Sequence, residues 1–172
     1  ANYTLAWYPG TLTVTKRPVT VTVVGHVATN TYDAVEHAVS GFEIATEDEL
    51  YDIAADTTFD GTASAKGTDA GSYAMNLAAD QFANGNENFD VTYTVTDGAL
   101  VVEAANMTDA DEADFVLTLG ANPVYNGTVQ TIPVTAVTYK GLPVTYTLAG
   151  ENATHAGTYT LTVKANGNFA GE

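Results

Sequence analysis

An alternating run of carboxylates is the feature of this sequence best suited to chemistry. Asp109, Asp111, Glu112 and Asp114 lie within one short polar stretch, and Ca²⁺ binds carboxylate oxygens of this kind. The run lacks the central Gly and the distal Glu of an EF-hand loop. We predict no resident cofactor here and interpret the run as a solvated acidic surface that keeps the chain soluble. The alternative is a Ca²⁺ site at Asp109, Asp111 and Asp114, which is the one cofactor that the sequence suggests.

Aromatic side chains offer a second kind of site, because the apolar face of a ring can pack against a ligand. Trp7, the only Trp, stands beside Tyr8, and Tyr51 and Tyr139 follow in the two halves of the chain. These four residues are candidate contacts for a host glycan or mucin. The alternative is that they are core or strand aromatics, which β-sheets favour.

No arrangement of residues in the sequence predicts catalysis. The three histidines, His26, His37 and His155, are scattered without the HExxH spacing of a metalloenzyme. The serines have no nucleophile-elbow context, and no glycine-rich phosphate loop occurs. The chain contains no Cys, which excludes disulfides, thiol catalysis and Cys-ligated metals. We predict that the protein is not an enzyme.

The charge balance restricts the partners. The formal net charge is −16, with 21 Asp and Glu against five Lys and Arg. Nucleic acids are excluded because phosphate binding needs a basic surface. The sequence also contains no apolar run of the roughly 18–20 residues that a membrane span requires, so we predict no membrane insertion of this segment.

Alternating Thr, Val and Tyr residues predict that strands carry these candidate sites. In Asn88–Glu103 the alternation is interrupted by Asp97-Gly98, a pair that suits a two-residue hairpin turn. The same pattern occurs at residues 2–15, with Pro9-Gly10 as its turn. We therefore predict β-hairpins at both places.

One helix is predicted, over Thr46–Ala55. Thr46 and Glu49 have the spacing of a capping box. Leu50, Ile53 and Ala54 would then form one apolar stripe. The fold class that we predict is all-β, or β-rich with this one short helix.

Three landmarks occur twice in the same order, which predicts tandem modules. They are Tyr32-Asp33-Ala34 with Tyr125-Asn126-Gly127, Ala70–Tyr73 with Ala156–Tyr159, and Asn88-Phe89 with Asn168-Phe169. The predicted organisation is a closing hairpin of a preceding repeat at 1–17, a first module at 18–103, an acidic linker at 104–112 and a second, truncated module at 113–172.

These landmarks resemble those of known families. The strand pattern with Pro18-Val-Thr-Val-Thr-Val and the first copy of the landmarks resembles the MBG-type repeats of bacterial cell-surface proteins. The second half, with VYNGT, YKGL, HAGTYTLTV and GNFAG, looks like the Tyr-Asn-Gly repeats of surface proteins from Gram-positive gut bacteria. Ala34 stands where the family often has Gly. The resemblance implies β-grasp-like or Ig-like sandwich modules in exported, cell-wall-associated adhesins and stalks.

The resulting functional expectation is a non-catalytic repeat segment that acts as an extracellular adhesin stalk or spacer. Its expected partners are adjacent repeats of the same chain. A carbohydrate- or mucin-binding module and an accessory domain of a secreted glycosidase remain as alternatives. The surplus strand pattern at residues 1–17 further predicts that Leu12 and Val14 pack against protein, either within the chain or by head-to-tail association of copies.

Overall fold

A computed structural model describes residues 3–4, 7, 9–108 and 114–171 of the chain. The described part is mostly β, with helix α1 at Ile53–Asp56 and one 3-10 turn at Ala79–Gln81, so the prediction of a β-rich fold with one short helix is confirmed. No helix in these described ranges is long and apolar enough to cross a membrane. The strands in chain order are β1 (Arg17–Gly25), β2 (Val27–Thr31), β3 (His37–Ser40), β4 (Phe42–Thr46), β5 (Thr57–Phe59), β6 (Ser64–Gly67), β7 (Gly71–Ala74), β8 (Phe82–Asn84), β9 (Phe89–Thr96), β10 (Ala99–Glu103), β11 (Ala105–Asn106), β12 (Phe115–Leu119), β13 (Gln130–Thr131), β14 (Val134–Tyr139), β15 (Leu142–Pro143), β16 (Thr145–Ala149), β17 (Asn152–Ala153), β18 (Thr162–Asn166) and β19 (Phe169–Ala170).

Two long parallel runs form the axis of the first module. β1 pairs with β9 from Arg17↔Phe89 to Val24↔Thr96, and β2 pairs with β10 from Val27↔Ala99 to Thr31↔Glu103. β1 and β2 are separated only by residue 26, and β9 and β10 only by residues 97–98. The register is the same on both sides of these interruptions, so we treat β1–β2 as one run and β9–β10 as a second run. At about 3.3 Å per residue, each run spans roughly 50 Å.

The two runs approach each other closely at Gly25 and Gly98, and we call this point of close approach the crossing. A Cβ on Gly25 would lie 2.3 Å from the backbone nitrogen of Gly98, and a Cβ on Gly98 would lie 2.5 Å from the carbonyl oxygen of His26. Only residues without a side chain permit this approach. The backbone at the crossing stays hydrogen-bonded, because Met75 N donates to Gly98 O and Ala99 N donates to His26 O.

The hairpin predicted for Asn88–Glu103 is wrong. β9 and β10 pair with β1 and β2 and not with each other. A type I′ hairpin turn needs positive φ at both central residues, and neither Asp97 nor Gly98 has it. The Asp97 carboxylate instead accepts hydrogen bonds from the backbone N–H groups of Asn76 (3.1 Å) and Leu77 (2.8 Å), so the chain continues in the same direction.

The strands before the crossing and the strands after it contribute to two separate cores. β1 buries every second residue, Val19, Val21 and Val23, with the Thr residues between them outside. These valines form the first core together with aromatic side chains (Tyr51, Phe82 and Phe89). Beyond the crossing, Leu100 and Val102 of β10 are fully buried in a second core, where β10 lies between β2 and β7.

The helix is shorter than predicted and has a different cap. α1 begins after Asp52, whose carboxylate accepts from Ala54 N (3.0 Å) and Ala55 N (3.2 Å). Thr46 is not the cap, because it ends β4 and its hydroxyl donates to Thr20 O. Pairing of β4 with β1 therefore overrides the capping-box signal of the local sequence.

A strand, β11, lies within the stretch 104–112 predicted as a linker. β11 follows β10 directly and pairs in parallel with β19, with Ala105 opposite Phe169. Both residues belong to a third core, which also contains Val137, Tyr139 and Val144. β12 pairs antiparallel with β14.

The predicted hairpin at residues 1–17 is absent from the described part of that segment. β1 begins only at Arg17, and the described residues before it lie in no strand. Leu12 and Val14 are 89% and 86% exposed, which contradicts the prediction that they pack within their own chain. No other segment of the described chain pairs with them.

We expect Gly98→Ala to destabilise the first module by about 1–3 kcal/mol, because the new Cβ overlaps the His26 carbonyl and the Met75 sulfur. Gly85→Ala is the matched control, since its Cβ meets only the Asp56 carbonyl at an ordinary 3.5 Å. The measurement is urea unfolding of both variants. Equal stability of the two would show that the crossing is not a close contact.

Candidate functional site: the junction between the modules

Asn168 links the two modules through its side chain. Its Oδ1 accepts from the backbone N–H of Ala70 (2.7 Å), and its Nδ2 donates to Asp69 Oδ1 (2.8 Å). Both partners stand in the loop before β7 of the first module. An amide that donates and accepts at once fixes the orientation of the loop more firmly than one hydrogen bond could.

Aromatic rings continue the junction beside this amide. Tyr32, the residue after β2, packs edge-on against Phe169 with ring centroids 5.2 Å apart and an interplanar angle of 81°. Phe169 in turn packs edge-on against Tyr139 at 6.3 Å. Tyr32 therefore belongs to both the second and the third core, and apolar contact joins the modules as well as hydrogen bonding.

A cleft of about 430 Å³ remains at this junction. Its walls combine the three rings with the polar residues Asp33, Asn106 and Lys140. The Lys140 ammonium lies 5.3 Å from the centre of the Tyr139 ring and 3.9 Å from the Asp114 carboxylate. The basic group is thus held by its own neighbours.

The same arrangement of backbone and rings occurs at the far end of the first module. Arg17 N donates to Asn88 O and Ala105 N donates to Asn168 O, both at 2.9 Å. Phe89 packs edge-on against Tyr51 as Phe169 does against Tyr139. Each module therefore starts with a strand beside its own Asn-Phe pair.

The other sequence landmarks also adopt matching conformations. The Tyr73 hydroxyl donates to Asp69 O, and the Tyr159 hydroxyl donates to His155 O, each at 2.8 Å. Asp33 accepts from Val35 N, and this hydrogen bond, followed by the contact with His37, lowers the pKa of Asp33.

Asn126 makes the corresponding turn with Thr128 N. Ala34 has φ of 65°, close to the 82° of Gly127, so Ala34 holds a conformation that glycine adopts more easily.

Two of the predicted ligand residues are buried in cores. Tyr51 is 4% and Tyr139 is 8% exposed, which removes the open ring face that contact with a sugar needs. The Tyr51 hydroxyl lies 2.9 Å from Thr57 Oγ1 and 3.3 Å from the Tyr93 hydroxyl. Tyr51 is therefore a hydrogen-bonded core residue of the first module.

The other predicted site residues do not assemble into a site within the described chain. Trp7 is 92% exposed, while Tyr8, Asp109 and Asp111 lie outside the described residues. Asp114 O accepts from Lys140 N, and its carboxylate faces the Lys140 ammonium. No group of three or more metal-ligating side chains occurs among the residues that the structure describes.

The junction residues that sequence reasoning did not single out as a site are Tyr32, Asp69 and Asn168. Two of them belong to landmarks that the sequence analysis found, and Asp69 directly precedes a third. Repetition marked these positions, but nothing local indicated that Asn168 of one module would meet Asp69 of the other. A scan against models of protein families found no match, and searches of curated proteins and of solved structures found none either.

We expect Asn168→Ala to weaken the junction, because the Ala70 N–H and the Asp69 carboxylate lose their partner. The expected loss is about 1–2 kcal/mol, seen by calorimetry as separation of one unfolding transition into two. The matched control is Asn88→Ala, whose side chain bonds to Asn86 within its own loop. If both variants unfold like the parent chain, Asn168 does not couple the modules.

Burial raises the pKa of Tyr93 to about 12, with a hydrogen bond from Thr57 opposing the shift and Tyr51 adding to it. The unfolded chain ionises near pH 10, so the folded state holds the proton more tightly. This contribution to stability is complete below pH 10 and is lost as the pH rises toward 12.

We expect the unfolding free energy of the parent chain to fall over this range relative to that of Tyr93→Phe. The exposed Tyr125→Phe is the control, and equal curves for the parent and Tyr93→Phe would contradict the assignment.

Proposed function

We propose that this chain is a non-catalytic repeat segment of an exported bacterial cell-surface protein and that it acts as a load-bearing spacer or adhesin stalk. The proposal places it outside the cell, associated with the cell wall, with adjacent repeats of the same chain as its immediate partners. The repeated landmarks, the acidic composition and the resemblance to MBG-type repeats support this function.

The observation that carries the proposal is the parallel pairing of the first and last strands of the first module. Because β1–β2 and β9–β10 run in the same direction, the chain enters the module at one end and leaves it at the other. The first module therefore adds its own length, roughly 50 Å for these runs, to the distance covered. An antiparallel pair of terminal strands would bring the chain back to its starting end and add no length.

The same geometry suits a chain under tension. A force applied at Arg17 and Glu103 acts along the strands, so all the hydrogen bonds between the two runs carry load together. The valines of the first core resist the same sliding movement, because each would have to leave its place among Phe82 and Phe89. A force applied across the strands at one end would break these bonds one after another.

The junction supports transmission of load from module to module. β10 passes into β11 with only residue 104 between them, and the Asn168 amide and the Tyr32–Phe169 contact hold the two modules at this point. The recurrence of the Asn-Phe pair at the far end of the first module, at Asn88, gives that end the same type of surface. Similar surfaces at the two ends of the first module suit a series of modules joined end to end.

Single-molecule pulling tests this function. The chain has no Cys, so introduced cysteines give unique attachment points. Attachment at Lys16→Cys and Glu103→Cys loads the two runs along their length, and we expect a high unfolding force. Attachment at Lys16→Cys and Asp90→Cys loads the same pair at one end, because Asp90 pairs with Pro18, and we expect a force several-fold lower at the same pulling speed.

The two attachments share the module, the sequence background and one anchor, so only the direction of the force differs. Equilibrium unfolding in urea should be the same for both cysteine pairs, which controls for damage to the fold. Equal unfolding forces in the two directions, with equal equilibrium stability, would contradict the proposed load-bearing function. Glycoside-hydrolysis activity in the chain would contradict the non-catalytic assignment.

A further inference from the structure

Asparagine followed by glycine is a chemically reactive pair, and the sequence contains it at Asn84-Gly85, Asn126-Gly127 and Asn166-Gly167. Glycine has no side chain, so its backbone nitrogen can approach the amide carbon of the preceding Asn. Attack at that carbon closes a succinimide ring and releases ammonia. Which pair reacts in the folded chain depends on the hydrogen bonds that restrain the nitrogen and the amide.

Hydrogen bonds restrain both reacting groups of the first pair. Asn84 Nδ2 donates to Asn86 O at 2.9 Å and to Phe89 O at 3.1 Å, and Asn84 Oδ1 accepts from Asn86 N at 2.9 Å. Gly85 N donates to Asp56 O at 2.7 Å. Ring closure at this pair would have to break the bond at the attacking nitrogen and those at the leaving amide.

The side chain of the third pair is held by strand pairing. With its amide oriented so that both contacts are hydrogen bonds, Asn166 donates to Ala165 O at 3.0 Å and accepts from Thr147 N at 3.2 Å. Thr147 belongs to β16, which pairs with β18, the strand that ends at Asn166. The amide is therefore tied to its own sheet and cannot turn toward Gly167 without losing both contacts.

The second pair differs, because in the described part of the chain neither Gly127 N nor Asn126 Nδ2 makes a hydrogen bond. Only Asn126 Oδ1 is bonded. It accepts from Thr128 N at 3.0 Å, from Thr128 Oγ1 at 2.7 Å and from Gln130 Nε2 at 2.6 Å. The side chain thus folds over the nitrogen of Gly127. Donors placed at this oxygen also stabilise the negative charge that develops on it when the amide carbon is attacked.

The first module carries a carboxylate at the position that matches Asn126, because Asp33 follows the landmark tyrosine there. Asp33 Oδ1 accepts from Val35 N at 2.9 Å and lies 3.0 Å from His37 Nε2. These partners stand two and four residues further on, which is also the spacing of the partners of Asn126. The turn therefore accommodates an acidic residue, and hydrogen bonds to a charged acceptor are the stronger ones.

Water reaches this turn in both modules. The Asp33 side chain is 54% exposed in the first module, where β10 completes the sheet. Asn126 and Gly127 are exposed in the second module, and a Cβ on Gly127 would meet no atom of the described chain within 4 Å. The openness of the turn is thus common to both copies of the landmark.

We propose that Asn126 converts spontaneously to an acidic residue, with Gly127 N as the nucleophile. The nitrogen gives its proton to solvent base and bonds to Asn126 Cγ, while the carbonyl electron pair moves to Oδ1. That pair then returns, the bond from Cγ to Nδ2 breaks, and the amide group takes up a proton and leaves as ammonia. Water opens the ring at either carbonyl and gives aspartate or isoaspartate. This modification is independent of the load-bearing function proposed above.

Peptide mass spectrometry of the 172-residue chain, incubated in mildly alkaline buffer, tests the site. Replacement of NH₂ by OH should occur at Asn126 about tenfold or more faster than at Asn84 or Asn166, because opening a hydrogen bond costs roughly this factor in rate. In urea the three pairs should react at similar rates. Equal rates at the three pairs in the folded chain would overturn the proposal. So would an unchanged folded Asn126 over the time in which the unfolded chain is converted.

Two variants test the assigned roles in the same assay. Gly127→Ala places a methyl group beside the nucleophile, and the turn tolerates it because Ala34 has φ of 65° at the matching position. Conversion of Asn126 should fall several-fold. Gln130→Leu removes one donor to Oδ1 and should slow conversion in the folded chain but not in urea, with an unchanged rate at Asn166 as the control for an intact second module. A parent-like rate in the folded Gln130→Leu chain would contradict the role of this donor.

Discussion

The close parallel pairing of β1–β2 with β9–β10 is the interaction on which the rest of the structure depends. Its hydrogen bonds connect the beginning and the end of the first module without a turn between them. Gly25 and Gly98 keep the pair together where it passes from one core to the other. A side chain at either position would force the runs apart and separate both sheets, since β4 and β7 are each bonded to one of these runs.

The parallel pairing of the two runs accounts for the two cores of the first module and for the single direction in which its chain runs. Before the crossing the valines of β1 are buried against aromatic rings, and beyond it Leu100 and Val102 of β10 close the second core. Because both runs point the same way, the end of the module is also the beginning of the next one at Ala105. The junction then requires only a few contacts, those of Tyr32, Asp69 and Asn168.

Local pattern predicted the strands well and their partners badly. The alternation of Val with Thr in β1 was evident from sequence, because burial of one sheet face imposes a period of two. The same alternation predicted a hairpin at Asn88–Glu103, which the structure contradicts. The capping-box spacing of Thr46 and Glu49 predicted a ten-residue helix at Thr46–Ala55, which the structure shortens to Ile53–Asp56. The pair Asp97-Gly98 is compatible with a hairpin turn and with a chain that continues in the same direction. Hydrogen bonds from the N–H groups of Asn76 and Leu77 to the Asp97 carboxylate select the second conformation.

The sequence by itself determined the β class and the positions of the recurring landmarks, because strand periodicity and turn residues act within a few residues of one another. Tertiary structure alone decided that Tyr51 and Tyr139 are core residues, that Asn168 joins the modules and that the long runs are parallel. These outcomes depend on which distant backbone groups and apolar faces satisfy each other. Such long-range pairing leaves no mark on the spacing of neighbouring residues.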